Sequence, residues 1–176
     1  MNRQIQSLAI LALLANMASG QDSGHDSVAF VSPAEIAKGA AIPREPRFLS
    51  GSQPDQQVLE ALAEEGVTLV IDFRGEGEDR GLDERQAVEQ LGMRYANLPV
   101  NVPDGVSMEN AEALNRLIEE NEGRVFMHCG SGNRAGAMVA LREKLLGASD
   151  EEAIAAGKAA GLTRLENTVR ERLSEE

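Results

Sequence analysis

Arg124-Val125-Phe126-Met127-His128-Cys129-Gly130-Ser131-Gly132-Asn133-Arg134-Ala135-Gly136 is the stretch that decides the fold. Val125 to Met127 is a short apolar run, suited to a strand covered on both faces. The only cysteine of the chain follows, with two glycines within three residues and then an arginine. Ala135, Met138, Leu141 and Leu145 recur at helical spacing, and Gly147 stands where a helix stop is expected. Strand, tight glycine loop and helix together aim backbone N–H groups at an anion. A cysteine inside that cup feels the positive end of the helix dipole and a fixed guanidinium, and both favour the thiolate. A cysteine buried only for packing has no use for such a loop. The stretch reads as an active site built on Cys129 as nucleophile.

Outward from it, helices and strands alternate. A short strand is expected at Arg47 to Ser50, followed by a helix opened by Pro54, with Val58, Leu59 and Leu62 on one face and Gly66 at its end. Val67 to Phe73 is nearly continuous apolar sequence, the mark of a central strand, with Asp72 and Arg74 at its carboxyl end. An acidic, glycine-rich loop covers Gly75 to Asp83, and Met93 to Leu98 predicts another strand. Pro99 to Val106 is a loop containing Pro103-Asp104-Gly105, and Ser107 can cap a helix carrying Met108, Ala111, Leu114 and Ile118. Ser149 and Glu152 form a capping-box pattern, and Leu162, Leu165, Val169 and Leu173 line a last helix. This alternation predicts an α/β fold, a three-layer sandwich around a mainly parallel central sheet.

Composition narrows the chemistry. The chain has 176 residues, one domain by length, and a net charge of −12, which argues against a nucleic-acid backbone as partner. Any attraction for an anionic substrate has to be local, at the loop and Arg134. One cysteine and two histidines are too few for a zinc cluster, and a serine triad would rest on His25 or His128 alone. No metal and no cofactor are expected.

His128-Cys129-Gly130-Ser131-Gly132-Asn133-Arg134 resembles the His-Cys-loop-Arg phosphate cradle of the cysteine-dependent protein phosphatases. Taken with Ser50-Gly51-Ser52-Gln53-Pro54 and Val70-Ile71-Asp72-Phe73-Arg74, the chain is similar to the beta-lactamase-hydrolase-like, dual-specificity-phosphatase-like domain family from about Phe48 to Leu162. The resemblance implies a phosphatase-like fold and hydrolysis of phosphate monoesters, of phosphotyrosine or dual specificity, through a phosphocysteine. The substrate would be a phosphorylated protein or a small phosphoester. Protein tyrosine phosphatases place five residues between cysteine and arginine; here four intervene, as in rhodanese-type sulfurtransferases, and Ala135 stands where a hydroxyl residue is usual. Two other readings therefore stand beside the first: sulfur transfer through a Cys129 persulfide, and a phosphate-binding module without turnover.

Ester hydrolysis through cysteine needs a thiolate, donors for the phosphoryl oxygens and an acid for the leaving group. Cys129 is the nucleophile, and Gly130, Ser131, Gly132, Asn133 and Arg134 are the binding loop, with the planar fork of Arg134 as its charged member. Asp104 is the expected acid, because Pro-Asp-Gly resembles the acid-bearing loop of the phosphatases. Glu76, Glu78 and Asp79 are held in reserve. His128, Asp72 and Arg74 are expected to support the loop from behind.

Residues 1–20 read as a secretory signal: Arg3, the apolar run Ile5 to Ala15, too short to span a bilayer, and small residues at Ala18-Ser19-Gly20. Residues 21–46 are expected to be a linker or N-terminal cap, and residues 47–176 the catalytic domain. The mature protein would be periplasmic or secreted, without a membrane span, and would carry a charge of −13 after loss of Arg3. Mass spectrometry of the exported protein should find a terminus near Gln21; an intact Met1 on a cytoplasmic protein would exclude export.

Overall fold

The computed structural model describes residues 27–175. The signal segment 1–20 and His25 lie outside the described residues. The element order is β1 (Val28–Val31), α1 (Pro33–Ile36), β2 (Phe48–Gly51), α2 (Gln56–Glu64), β3 (Val67–Asp72), α3 (Glu84–Gln90), β4 (Arg94–Asn97), α4 (Met108–Glu119), β5 (Arg124–His128), α5 (Asn133–Leu145), α6 (Asp150–Ala159) and α7 (Glu166–Ser174). The strands form one five-stranded sheet in the order β1-β2-β5-β3-β4, and every pair in it is parallel. The expected α/β sandwich is thus present.

Period-two alternation divides the core into two layers. Phe48, Leu69, Ile71, Val125 and Met127 face the cluster that receives α4 to α7. Leu49, Val70 and Phe126, from the intervening positions, face α1, α2 and α3, and Val67 joins them across a register shift in β3. Phe48 and Phe126 are fully buried on opposite faces. Burial of each such side chain contributes about 1.5–3 kcal/mol. Helix ends follow local chemistry: Asp55, Asp83 and Ser107 accept N-cap hydrogen bonds, and Ser149 with Glu152 closes a capping box.

The segment before residue 47 does more than connect. Val28–Val31 pairs with β2 and forms the sheet edge, and Pro33–Ile36 is a single helical turn. Its Phe30, 41% exposed, reaches over the turn between β5 and α5. Among the described residues no helix is long and apolar enough to cross a membrane.

The sheet order places β5 in the middle, flanked by β2 and β3. Crossovers through α2 and α3 cover one face, while α4 covers the other. The connection therefore changes side at β5, and its carboxyl end opens a crevice of the kind where open α/β sheets bind ligands. Behind that end, α5 and α6 touch almost backbone to backbone: a Cβ on Gly136 would lie 2.1 Å from Leu162 N, and one on Gly157 would lie 2.8 Å from Ala140 Cβ. Gly136→Ala should cost about 1–3 kcal/mol by overpacking. Gly77→Ala, where the new Cβ meets nothing within 4 Å, should stay within about 0.5 kcal/mol. Urea midpoints measure the difference.

Candidate active site

The turn from β5 into α5 is made by Gly132, the N-cap of the helix, at φ +84°. Few side chains tolerate that conformation, and a Cβ there would also lie 2.5 Å from the Phe30 ring. The turn brings the Gly132 N–H to 3.1 Å from Cys129 Sγ, so a backbone amide donates to the sulfur. Ala135 offers no hydroxyl; the sulfur meets this amide and the Arg134 guanidinium instead. Cys129 is 1% exposed and sits at a cavity of about 480 Å³ together with Gly130, Ser131, Asn133, Arg134, Val102, Arg164 and Leu165. A larger hollow of about 590 Å³ against Ser52, Gln53 and Arg80 touches none of the Cys129 loop.

Arg134 meets Glu78 in a bidentate pair, Nη1 to Oε1 at 2.6 Å and Nη2 to Oε2 at 2.7 Å. Nη1 also approaches the carbonyl oxygens of Phe73 and Val100. The carboxylate therefore occupies one edge of the fork, and the Cys129 sulfur also acts on the guanidinium. Glu78 also accepts from Gly75 N and from Arg74 Nε. Hydrogen bonding from Arg134, helped by Gly75 and Arg74, outweighs burial and holds the Glu78 carboxyl at about 2 against an ordinary 4.5. Glu78 is therefore ionised at neutral pH and cannot serve as a proton donor there.

Behind the loop the polar groups form a connected set. Asp72, fully buried, accepts from Arg74 N at 2.8 Å, Arg80 Nε at 2.6 Å and Tyr95 OH at 2.8 Å. Asp72 and Arg74 are thus joined through backbone, and the Asp72 cation partner is Arg80. Burial first, then the neighbouring Asp72, pushes the Tyr95 hydroxyl well above its ordinary range. Arg74 turns its guanidinium to Glu78, Gln53 Oε1 and the Asp79 carbonyl. Gln53 in turn donates to Glu84 Oε2 at 2.7 Å. Glu84 Oε1 lies 2.6 Å from His128 Nε2, a close approach rather than a well-directed hydrogen bond, with both side chains buried. The His128 ring stacks on Phe126 at 5.5 Å. Asp72, Glu84 and His128 bring ligand-type atoms within 4.8 Å of one another. Asp72 already serves Arg80, however, and that cation disfavours a second one beside it.

The expected residues thus divide. Cys129, Gly130, Ser131, Asn133 and Arg134 share the cavity, and His128, Asp72 and Arg74 lie behind it. Asn133 also turns its side-chain oxygen to the Thr163 N–H at 2.8 Å, the Thr163 hydroxyl and the Leu165 N–H. Asp104 is exposed and lines a separate hollow with Ser107, Met108, Arg172 and Glu175. Its loop reaches the Cys129 cavity through Val102 instead. Glu76 and Asp79 are exposed and outside the cavity. Sequence reading did not single out Glu84, Arg80, Tyr95, Val102 or Arg164. Glu84 looks like an ordinary acidic first-turn residue, and only Gln53, inside its Ser-Gly-Ser-Gln-Pro stretch, carried a local mark.

A depressed folded-state carboxyl adds stability above its unfolded value and loses it as pH falls through the folded value. The Glu78–Arg134 pair should therefore hold unchanged above about pH 4.5 and be lost as pH falls towards 2. A carboxyl NMR titration should give Glu78 a midpoint near 2, and Glu78→Gln should remove its share of the acid limb of unfolding. A midpoint near 4.5 would mean that the pair does not persist in solution.

Comparison with known proteins follows this geometry. The matched stretch of the beta-lactamase hydrolase-like protein of Agrobacterium fabrum is 31% identical over 105 residues, covering 57% of this chain and 24% of the relative. The chain thus spans about a quarter of the length of that relative. A candidate phosphatase from Neisseria meningitidis superposes with a TM-score of 0.64 at 24% identity, covering 77% of this chain and 97% of that one. TpbA of P. aeruginosa, solved as a cysteine-to-serine variant in complex with pTyr, gives a TM-score of 0.51 at 22% identity, over 69% and 75% of the two chains. These structural likenesses show the fold. The family model described as DSP-PTPase phosphatase fused to NAD+ kinase matches residues 25–174. The chain belongs to that family, within the dual-specificity-like cysteine phosphatases.

Proposed function

We propose that the protein hydrolyses phosphate monoesters through a phosphocysteine on Cys129. The observation that carries this reading is the shared cavity of Cys129 and Arg134, with the Gly132 N–H on the sulfur and the Arg134 guanidinium beside it. In the first step the Cys129 thiolate attacks phosphorus, the S–P bond forms, and the ester P–O bond breaks. The Arg134 guanidinium and the loop amides hold the equatorial oxygens. Water then attacks the phosphocysteine, releasing phosphate and restoring the thiolate. Glu78 positions the guanidinium from one edge. The pTyr complex of TpbA makes aryl esters the first substrates to try.

Asp104 is the proposed acid for the leaving oxygen, and that role requires the Pro99–Val106 loop to turn its carboxyl into the cavity. Exported location, with the thiol facing an oxidising space, belongs to the same proposal.

A parallel assay with an aryl phosphate and with thiosulfate plus cyanide tests the reaction. Ester turnover without gain of one sulfur on Cys129 is expected; persulfide formation without ester hydrolysis would replace the proposal by sulfur transfer. Cys129→Ser should lose turnover yet still bind phosphate, and Arg134→Lys should weaken both, since an ammonium cannot supply two parallel donors. Asp104→Asn should slow esters with poor leaving groups by about 10²–10⁴-fold and hardly affect those with good ones. Equal effects on both ester types would remove Asp104 from the mechanism.

A further inference from the structure

We propose that Arg164 forms a second anion subsite at the rim of the Cys129 cavity, so that the substrate is a small phosphoester carrying a second phosphate. This inference rests on the phosphatase reading and names its substrate class.

The described arginines show why Arg164 stands apart. Arg44, Arg85, Arg116, Arg134, Arg142 and Arg170 pair with carboxylates, as do Arg74, Arg80 and Arg172. Arg47, Arg94 and Arg124 donate to backbone carbonyls. Arg164, exposed and lining the cavity, is the one described arginine without a hydrogen-bond or ion-pair partner among the described residues. On a chain with 29 acidic and 17 basic side chains, a guanidinium with neither a carboxylate nor a carbonyl partner among the described residues is the exception, and it stands beside the nucleophile.

Its place is held by the catalytic loop itself. The buried Asn133 oxygen accepts from the N–H groups of Thr163 and Leu165, the two neighbours of Arg164 in the chain. The backbone that carries Arg164 is thus clipped to the residue before Arg134, while the side chain stays free to reach a ligand. Arg134 itself is already half neutralised by Glu78, so the charge still available to a second anion in this cavity is that of Arg164. Val102 and Leu165 supply apolar wall between the charged groups. A cavity of about 480 Å³ has the size of a small-molecule site. The net charge of −12 opposes an acidic peptide laid across the wider surface.

The test compares adenosine 5′-monophosphate with adenosine 3′,5′-bisphosphate as probes on one scaffold. The wild-type chain should prefer the bisphosphate in kcat/KM. Arg164→Gln should cut that preference by about 10–100-fold, the scale of one charge-assisted partner, and Arg164→Lys should restore part of it. A ratio that does not move in Arg164→Gln would overturn the subsite. Arg164 is exposed and has no partner among the described residues, so thermal unfolding of the variant should match the wild type. Binding of both probes to Cys129→Ser, with and without Arg164→Gln, gives a second readout that needs no turnover. If the wild type hydrolyses neither probe, the aryl phosphate assay above decides the reaction and binding alone decides the subsite. The subsite then stands if Arg164→Gln still removes the bisphosphate preference in binding, and it falls if that preference is absent or unchanged.

Discussion

The structure depends on one turn. Between His128 at the end of β5 and Asn133 at the start of α5 the chain must leave a buried strand and begin a helix within four residues. Only a residue at ease with φ +84° can make that change of direction, and Gly132 does so with its N–H 3.1 Å from Cys129 Sγ. The same conformation closes the cup and supplies the sulfur with a donor. Packing enforces it from several sides. Phe30 covers Gly132, the Gly136–Gly157 contact draws α6 against α5, and Asn133 ties the chain after α6 to the loop.

Behind the turn the molecule accepts a demanding arrangement. Asp72, Glu84 and His128 are buried with scarcely any solvent contact, and isolated charges in such a place would cost several kcal/mol each. The two carboxylates are tolerated because they are joined: Asp72 to Arg80 and Tyr95, Glu84 to Gln53, Gln53 to Arg74, Arg74 to Glu78, and Glu78 to Arg134, with His128 close against Glu84. Each contact limits the rotamers of the next. The series begins under the cysteine strand and ends on the arginine of the cup, so the guanidinium is oriented before any ligand arrives. Preorganised donors of this kind need no rearrangement when charge develops on a bound group.

Charge is used locally for the same reason. An acidic surface gives no general attraction for phosphoesters, and most of the described arginines are committed to carboxylates or carbonyls that hold the fold. Arg134 and Arg164 bring two guanidinium groups to the Cys129 cavity. A small volume with low-dielectric walls lets a few groups dominate the field there.

Much of this was legible in the chain. The apolar runs at Val67 to Phe73 and Val125 to Met127 determined covered parallel strands, because both faces of such strands must be apolar. Gly-Ser-Gly after Cys129 determined the tight turn, and helical spacing from Ala135 determined α5. β1 was hidden because four residues among polar and proline-rich neighbours carry no periodicity; the strand exists through pairing with β2. Sequence also placed Asp104 on a loop near the nucleophile, but it could not orient the side chain, and the tertiary structure turns Val102 to the cavity instead. Glu78 could be ranked only as one acid among several. Its pairing with Arg134, like the burial of Glu84 against His128 and the isolation of Arg164, joins residues 30 or more positions apart. Local pattern reports what a segment prefers by itself, whereas which charges meet, and which is left without a partner, is decided only when the sheet order brings distant loops to one edge.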